Sequence, residues 1–223
     1  MSDDERAVAL PAIVPIFPLE GVLLLPRARL PLHIFEPRYR AMMADALDGD
    51  GMIAMAQPMR PDSDQGDASA PVYPVACLGR IVEQAALEDG RWNLTLEGVI
   101  RFRIVAELPL KDGYRRARAD YSEYPHDLAL QDADLGVDRT ALLAALASYL
   151  DARGLSADRT AIGKLPDEPL VNALAMACPF LPAEKQALLQ AIDLPGRAAL
   201  LRTLFELSVA PDAANDDEPP TLN

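Results

Sequence analysis

Cysteine is scarce in this 223-residue chain: only Cys77 and Cys178 occur, far apart and in no CxxC pattern. That argues against a structural zinc site or a disulfide framework, and a reducing cytoplasm is the simple reading. Basic residues are also short, 21 against 34 acidic ones, for a formal net charge of −13. Nonspecific binding to nucleic acid or to anionic membranes rests on cationic surface, so neither fits as the main job. The acid excess favours solubility. No apolar run is long enough to span a bilayer. The N-terminus, Ser2 to Arg6, is acidic and polar, and Pro11, Pro15, Pro18 and Glu20 interrupt the apolar residues after it, unlike a secretory signal. Without such a signal the sequon Asn93-Leu94-Thr95 carries no meaning.

Recognisable catalytic chemistry is thin. Gly163-Lys164 is the nearest thing to a phosphate loop. A Walker A loop needs glycine five residues before that glycine and Ser or Thr after the lysine, where this chain has Asp158 and Leu165. Cys77 with His33 or His126 as base would be a nucleophile pair, but a lone cysteine in an apolar strand reads as packing, and Cys178 reads the same way. His33 and Glu36 would share a face on a helix as a metal pair. Pro31 and Pro37 argue for extended geometry there, and no third ligand suggests itself. No metal and no cofactor is expected.

Half of the residues are hydrophobic, enough for a real core in one large domain or two small ones. The organising stretch is residues 13–40, IVPIFPLEGVLLLPRARLPLHIFEPRYR. Its short apolar runs are stopped by Pro18, Pro26 and Pro37 and read as strands and turns. From Pro37 the rhythm turns helical through Tyr39, Met42, Met43 and Leu47. Met52 to Gln57 reads as a short strand and residues 58–71 as a mobile loop. Asp89-Gly90 reads as a two-residue type I′ hairpin, with Glu88 facing Arg91, Leu87 facing Trp92 and Ala85 facing Leu94. Gly98 allows a bend or bulge. Residues 99–106 form a strand with Arg101 and Arg103 on one face, and Tyr114 to Tyr121 a strand with Arg116 and Arg118.

After Pro125 the pattern becomes helical. Residues 126–136 are an acidic connector. Leu142, Leu143, Leu146, Tyr149 and Leu150 form one apolar stripe, ended by Gly154. Further helices start near Pro169, Pro182 and Pro195, with Leu170, Leu174 and Cys178, then Leu188, Leu189 and Ile192, then Leu200, Leu201, Leu204 and Leu207 facing inward. The class is therefore α+β. The expected organisation is a disordered stretch at 1–10, a β-rich part at 11–125, a helical part at 126–209 and an acidic disordered tail at 210–223.

Phe17-Pro18-Leu19, Leu30-Pro31-Leu32 and Ile34-Phe35-Glu36-Pro37-Arg38-Tyr39 resemble the opening of the N-terminal substrate-binding domain of the ATP-dependent protease Lon (peptidase S16). The resemblance is strongest to stand-alone bacterial proteins that keep only this domain. Gly79-Arg80-Ile81, Asp89-Gly90, Gly98 and Arg101-Phe102 continue it in order. So do Leu165-Pro166, Leu174 to Cys178, Glu184-Lys185-Gln186, Leu188-Leu189, Arg197 and Leu200-Leu201. It covers about residues 13 to 208. One departure is Leu25-Pro26-Arg27, where relatives often carry Phe-Pro-Gly.

The resemblance implies a PUA-like β pseudo-barrel followed by a C-terminal helical bundle. It also implies a cytoplasmic, non-catalytic protein- or peptide-binding module without the ATPase and Ser-Lys protease domains of the full enzyme. Partners would be unfolded or apolar protein segments, or a protease on which it docks as an adaptor. Candidate anchors are Phe17, Leu19, Phe35, Tyr39 and Met42. The methionines 42, 43, 52, 55 and 59 would suit either an adaptable surface or the core. Glu36, Arg38 and Arg40 read as an ion-paired junction between strand and helix. The alternative is an RNA-binding PUA-like domain using Arg101, Arg103, Arg116 and Arg118 as an anionic-ligand patch.

Overall fold

The computed structural model describes residues 9–59, 70–129 and 136–209. The expectations of disorder at the N-terminus and in the acidic tail, of a mobile loop before Pro71, and for part of the acidic connector fall largely outside those residues. The strands are β1 (Ile13–Pro18), β2 (Arg29–Ile34), β3 (Met52–Ala56), β4 (Val75–Ala86), β5 (Trp92–Lys111) and β6 (Tyr114–Asp120). Helix α1 (Pro37–Asp48) lies between β2 and β3. A 3-10 turn at Pro125–Leu128 leads to α2 (Arg139–Arg153), α3 (Arg159–Ile162), α4 (Asp167–Ala177), α5 (Pro182–Gln190) and α6 (Leu194–Val209).

The strand order is β2-β5-β4-β3-β1-β6, and an added β5–β6 pairing closes a five-strand ring with β2 attached outside it. The closure rests on the 20-residue β5. Its first half pairs with β4, and its second half pairs with β6 from Arg103↔Asp120 to Lys111↔Tyr114. Closure gives each strand of the ring two neighbours, while β2, outside the ring, keeps one free edge. β3 is buried along its whole length, on both faces of the sheet. Met42, Met43, Met52 and Met55 are all core residues, and only Met59 of that group is exposed.

The bulge at Gly98 has a steric cause. Leu78 pairs with Ile100 but Gly79 pairs with Gly98, so Val99 is left without an opposite residue. Gly98 donates to the Ala28 carbonyl at 2.9 Å and accepts from the Arg27 amide at 2.7 Å. A Cβ at Gly98 would lie 2.0 Å from the Leu25 carbonyl oxygen, a backbone atom that cannot step aside. Gly98→Ala should therefore destabilise by about 3 kcal/mol, the upper end for overpacking. Urea unfolding would measure it, and a shift close to zero would mean that the 25–28 turn moves freely.

The departure at Arg27 is met by the same turn. Arg27 has φ 63°, the left-handed region that glycine enters without penalty. The arginine is held there by its amide bond to Gly98 and by a guanidinium bond to the Asp127 carbonyl.

The first hairpin differs from expectation by one residue. Ala86 pairs with Trp92, Ala85 with Asn93 and Gln84 with Leu94. Leu87 donates to the Arg91 carbonyl, and Gly90 closes back on Leu87. The loop is Glu88-Asp89-Gly90, with positive φ at Gly90 and not at Asp89. A type I′ turn needs both; a three-residue loop with one left-handed glycine needs one. The type I′ geometry occurs instead at Asp112-Gly113, with φ 49° and 84°.

The described chain forms two compact units. Of the described residues, one comprises those up to 129 together with 172–191, and the other 136–171 with 192–209. This differs from the contiguous division expected near residue 125. The second half of α4 and all of α5 group with the strands, where Gln186 donates to the Val75 carbonyl and Asn172 to the Pro26 carbonyl. In the second unit α2 packs on α6, with the Tyr149 and Phe205 ring centroids 4.9 Å apart. Gly154 at φ 61° ends α2 as expected. Ile192 and Leu207 were expected inside but are 88% and 66% exposed. Ile192 falls after α5 has ended, and Leu207 stands exposed in the last turn of α6, three residues beyond buried Leu204.

Candidate functional site

A groove of about 400 Å³ opens beside β2. It is walled by Phe17, Pro18 and Leu19 at the end of β1, by residues 30–36, by Arg38 and Tyr39 of α1, and by residues 113–115 at the start of β6. Each wall has a local cause. Pro18 ends β1, after which Leu19 donates to the Ala56 carbonyl at 3.2 Å. The chain then turns at Gly21, φ 67°. Gln57, 1% exposed, accepts from the Gly21 amide at 3.0 Å and donates to the Val22 carbonyl. This buried amide holds the lip of the groove. No sequence pattern singled it out, because a glutamine after a short strand carries no periodic signal.

The floor is aromatic. Phe17 and Tyr39 are buried with ring centroids 4.3 Å apart, and burial pushes the Tyr39 phenol above its usual pKa. The Arg38 guanidinium lies 4.6 Å from the centre of the Tyr39 ring and is ion-paired with Glu36 at 2.9 Å. That pair fixes the strand-to-helix junction, as expected from the sequence. Pro37 opens α1 without needing an amide partner. Phe35 stands out of the floor, 56% exposed, with the His33 ring at 6.2 Å. His33 itself bonds Asn93 at 2.7 Å. Arg115 is buried, paired with Glu107 and bonded to the Ala70 carbonyl at 2.7 Å.

Four of the five expected anchors therefore line one cavity: Phe17, Leu19, Phe35 and Tyr39. Met42 does not. It is fully buried on the inner face of α1 with Tyr39, Met43 and Ala46 and belongs to the core.

The expected arginine patch is not assembled. Arg101 is 4% exposed and ion-paired with buried Asp127 at 2.8 Å. Arg103 is bidentate to Glu123, at 2.6 and 2.8 Å. Arg116 is half-buried and donates to the Pro109 carbonyl, leaving Arg118 exposed. In β5 Arg101 stands opposite Cys77 of β4. What alternation cannot tell is that the face beside Arg101 is covered by the 3-10 turn and the end of α5. Cys77 and Cys178 are both buried free thiols. Among the described residues no group of three His, Cys, Asp or Glu side chains could hold a metal ion, and no helix is long and apolar enough to cross a membrane.

Residues 13–206 match the model of the ATP-dependent protease La (LON) substrate-binding domain. Lon protease 2 of Myxococcus xanthus is 26% identical over 197 residues, which is 88% of this chain and 24% of that protein. Lon protease of Dictyoglomus thermophilum is 24% identical over 93% of this chain and 26% of its own length. The chain thus spans about a quarter of these curated relatives. Among solved structures, a Lon N-terminal domain protein from Xanthomonas campestris superposes with a TM-score of 0.60 at 21% identity. That match covers 86% of this chain and 97% of the other. The N-terminal domain of Mycobacterium avium complex Lon protease gives 0.59 at 17% identity, covering 87% and 98%. At these identities the structural likeness speaks for the fold.

Proposed function

We propose that this chain, which belongs to the ATP-dependent protease La (LON) substrate-binding domain family, acts as a non-catalytic module that takes exposed apolar segments of unfolded polypeptide into the groove beside β2. The observation that carries this reading is the groove's construction: a buried Phe17–Tyr39 floor with the exposed Phe35 ring beside it. A groove with apolar anchors is one of the recurring ways in which a fold takes up a polypeptide segment. The reading sets the module in the cytoplasm, in keeping with two free thiols and a net charge of −13.

Phe35 gives the cleanest test, because it is exposed and its truncation removes little packing. Tyr39→Ala would remove a buried ring and confuse folding with binding. Phe35→Ala should weaken binding of a fluorescently labelled, permanently unfolded protein by about thirtyfold, the loss of one aromatic hot spot. Its urea midpoint should stay within about 0.5 kcal/mol of the parent. Absence of binding by the parent, or equal binding by the variant, would reject the reading.

A further inference from the structure

The groove is bounded by a strand edge, and the geometry points to capture of its polypeptide as an added β-strand on β2. This rests on the reading that the groove takes polypeptide; it adds the bound conformation and the class of segment. β2 is the terminal strand in the sheet order, and β5 is its only strand partner among the described residues. Residues 30–36 line the groove consecutively. A cavity over one face of a strand takes every second residue, since side chains alternate. A consecutive run means that the strand's edge opens into the cavity.

The direction of each backbone group on that edge follows from Gly98. Its amide and carbonyl both turn toward Arg27 and Ala28. Counting back by two along β5, Leu96, Leu94 and Trp92 turn theirs toward β2. There they stand opposite Leu30, Leu32 and Ile34. Arg29, Pro31 and His33 therefore turn their backbone groups away from β5, to the open edge. Proline fits the middle of that set because it has no amide to leave unpaired. The open edge offers the amides of Arg29 and His33 and the carbonyls of Arg29, Pro31 and His33. A strand of about five residues, some 16–17 Å long, can pair with it.

The occupant is an extended, unfolded segment with apolar residues at alternate positions and a cationic flank. The alternation follows from the half-buried Leu30 and Leu32 and the buried Ile34 sharing one face, while Arg29, Pro31 and His33 share the exposed one. The flank follows from charge. Arg38 and Arg115 are engaged by Glu36 and Glu107. Glu20 is exposed at the rim with no ion pair among the described residues.

The test leaves the protein unaltered. The probe is a fluorescein-labelled peptide alternating leucine or phenylalanine with threonine and ending in lysine, titrated by anisotropy. Two further versions carry N-methyl groups on alternate amides, one on the odd set and one on the even set. Strand addition uses the amides of one set only. One version should lose about tenfold or more in affinity, the worth of one or two backbone hydrogen bonds, and the other should bind like the parent. Equal binding by both versions, or equal loss in both, would overturn strand addition while leaving the groove a polypeptide site. No binding by the unmethylated peptide, when an unfolded protein also fails to bind, would overturn both readings together.

Discussion

Arg101→Ala should cost about 3–5 kcal/mol, far more than the loss of an exposed ion pair, because it strands a buried charge. The Arg101 side chain is held by hydrogen bonds from all three of its nitrogens. Its Nε and backbone N–H both donate to Asp127 Oδ2, at 2.8 and 2.9 Å, and Nη2 donates to Oδ1 at 2.8 Å. Nη1 donates to the Leu189 carbonyl at 2.9 Å and to the Ala191 carbonyl at 2.5 Å. The guanidinium carbon also sits 4.4 Å from the centre of the Tyr124 ring. Truncation leaves the Asp127 carboxylate, 6% exposed, without its counter-charge, and leaves two carbonyls at the end of α5 without donors. Arg103→Ala is the control. It lies two residues along the same strand, and its pair with Glu123 is exposed on both sides, so its loss should barely move the urea midpoint. Equal shifts for the two variants would show that Arg101 is no more than a surface arginine in solution.

Arg101 also marks where sequence reasoning stopped. The α+β class, the helix after Pro37, the bulge at Gly98 and the end of α2 at Gly154 are local events with local signals: proline punctuation, a 3.6-residue period, and glycine where φ or space demands it. The groove was legible for a related reason. Phe17, Leu19, Phe35 and Tyr39 lie in one stretch whose turns bring them together, so few long-range contacts had to be guessed. Met42 shares the helical period of Tyr39, but periodicity gives a side and not a depth, and Met42 lies wholly inside.

The arginine patch failed on a long-range contact. Asp127 is 26 residues beyond Arg101 in what reads as an acidic connector, and Leu189 is 88 residues beyond. No pattern within a strand announces which partner will cover its polar face. The hairpin register failed on a finer point. Asp-Gly suits a two-residue loop and a three-residue loop alike, and the pairing of Ala86 with Trp92 selects the second. The grouping of α5 and the end of α4 with the strands was not legible because both helices read as members of a helical run. Their polar residues Asn172 and Gln186 bond backbone carbonyls at Pro26 and Val75, more than a hundred residues earlier.

Alkaline pH should unfold this protein earlier than its acidic composition suggests, and Cys178 is the group through which to measure it. Burial pushes the Cys178 thiol up from 9.0 to about 11, against an opposing pull from Lys185. Burial and the Asp50 charge push the Tyr121 phenol up to about 12, and burial with the Asp45 hydrogen bond raises Tyr114. Each of these groups is neutral when protonated, and the fold favours the neutral form. The unfolded chain releases the proton first, so stability is full below the unfolded pKa and falls as pH rises through the gap. For Cys178 the gap runs from 9.0 to about 11 and is worth about 2 kcal/mol at pH 11. Lys185 acts in the opposite sense. Burial holds its ammonium below the usual value, so its penalty fades as pH rises toward 10.5 and offsets part of the loss. The comparison that isolates the thiol is Cys178→Ala against the parent, each unfolded in urea from pH 8 to pH 11. The parent should lose about 2 kcal/mol more than the variant across that range, whatever their difference at pH 8. Parallel curves would mean that the thiol ionises as readily in the fold as outside it, and that water reaches the sulfur.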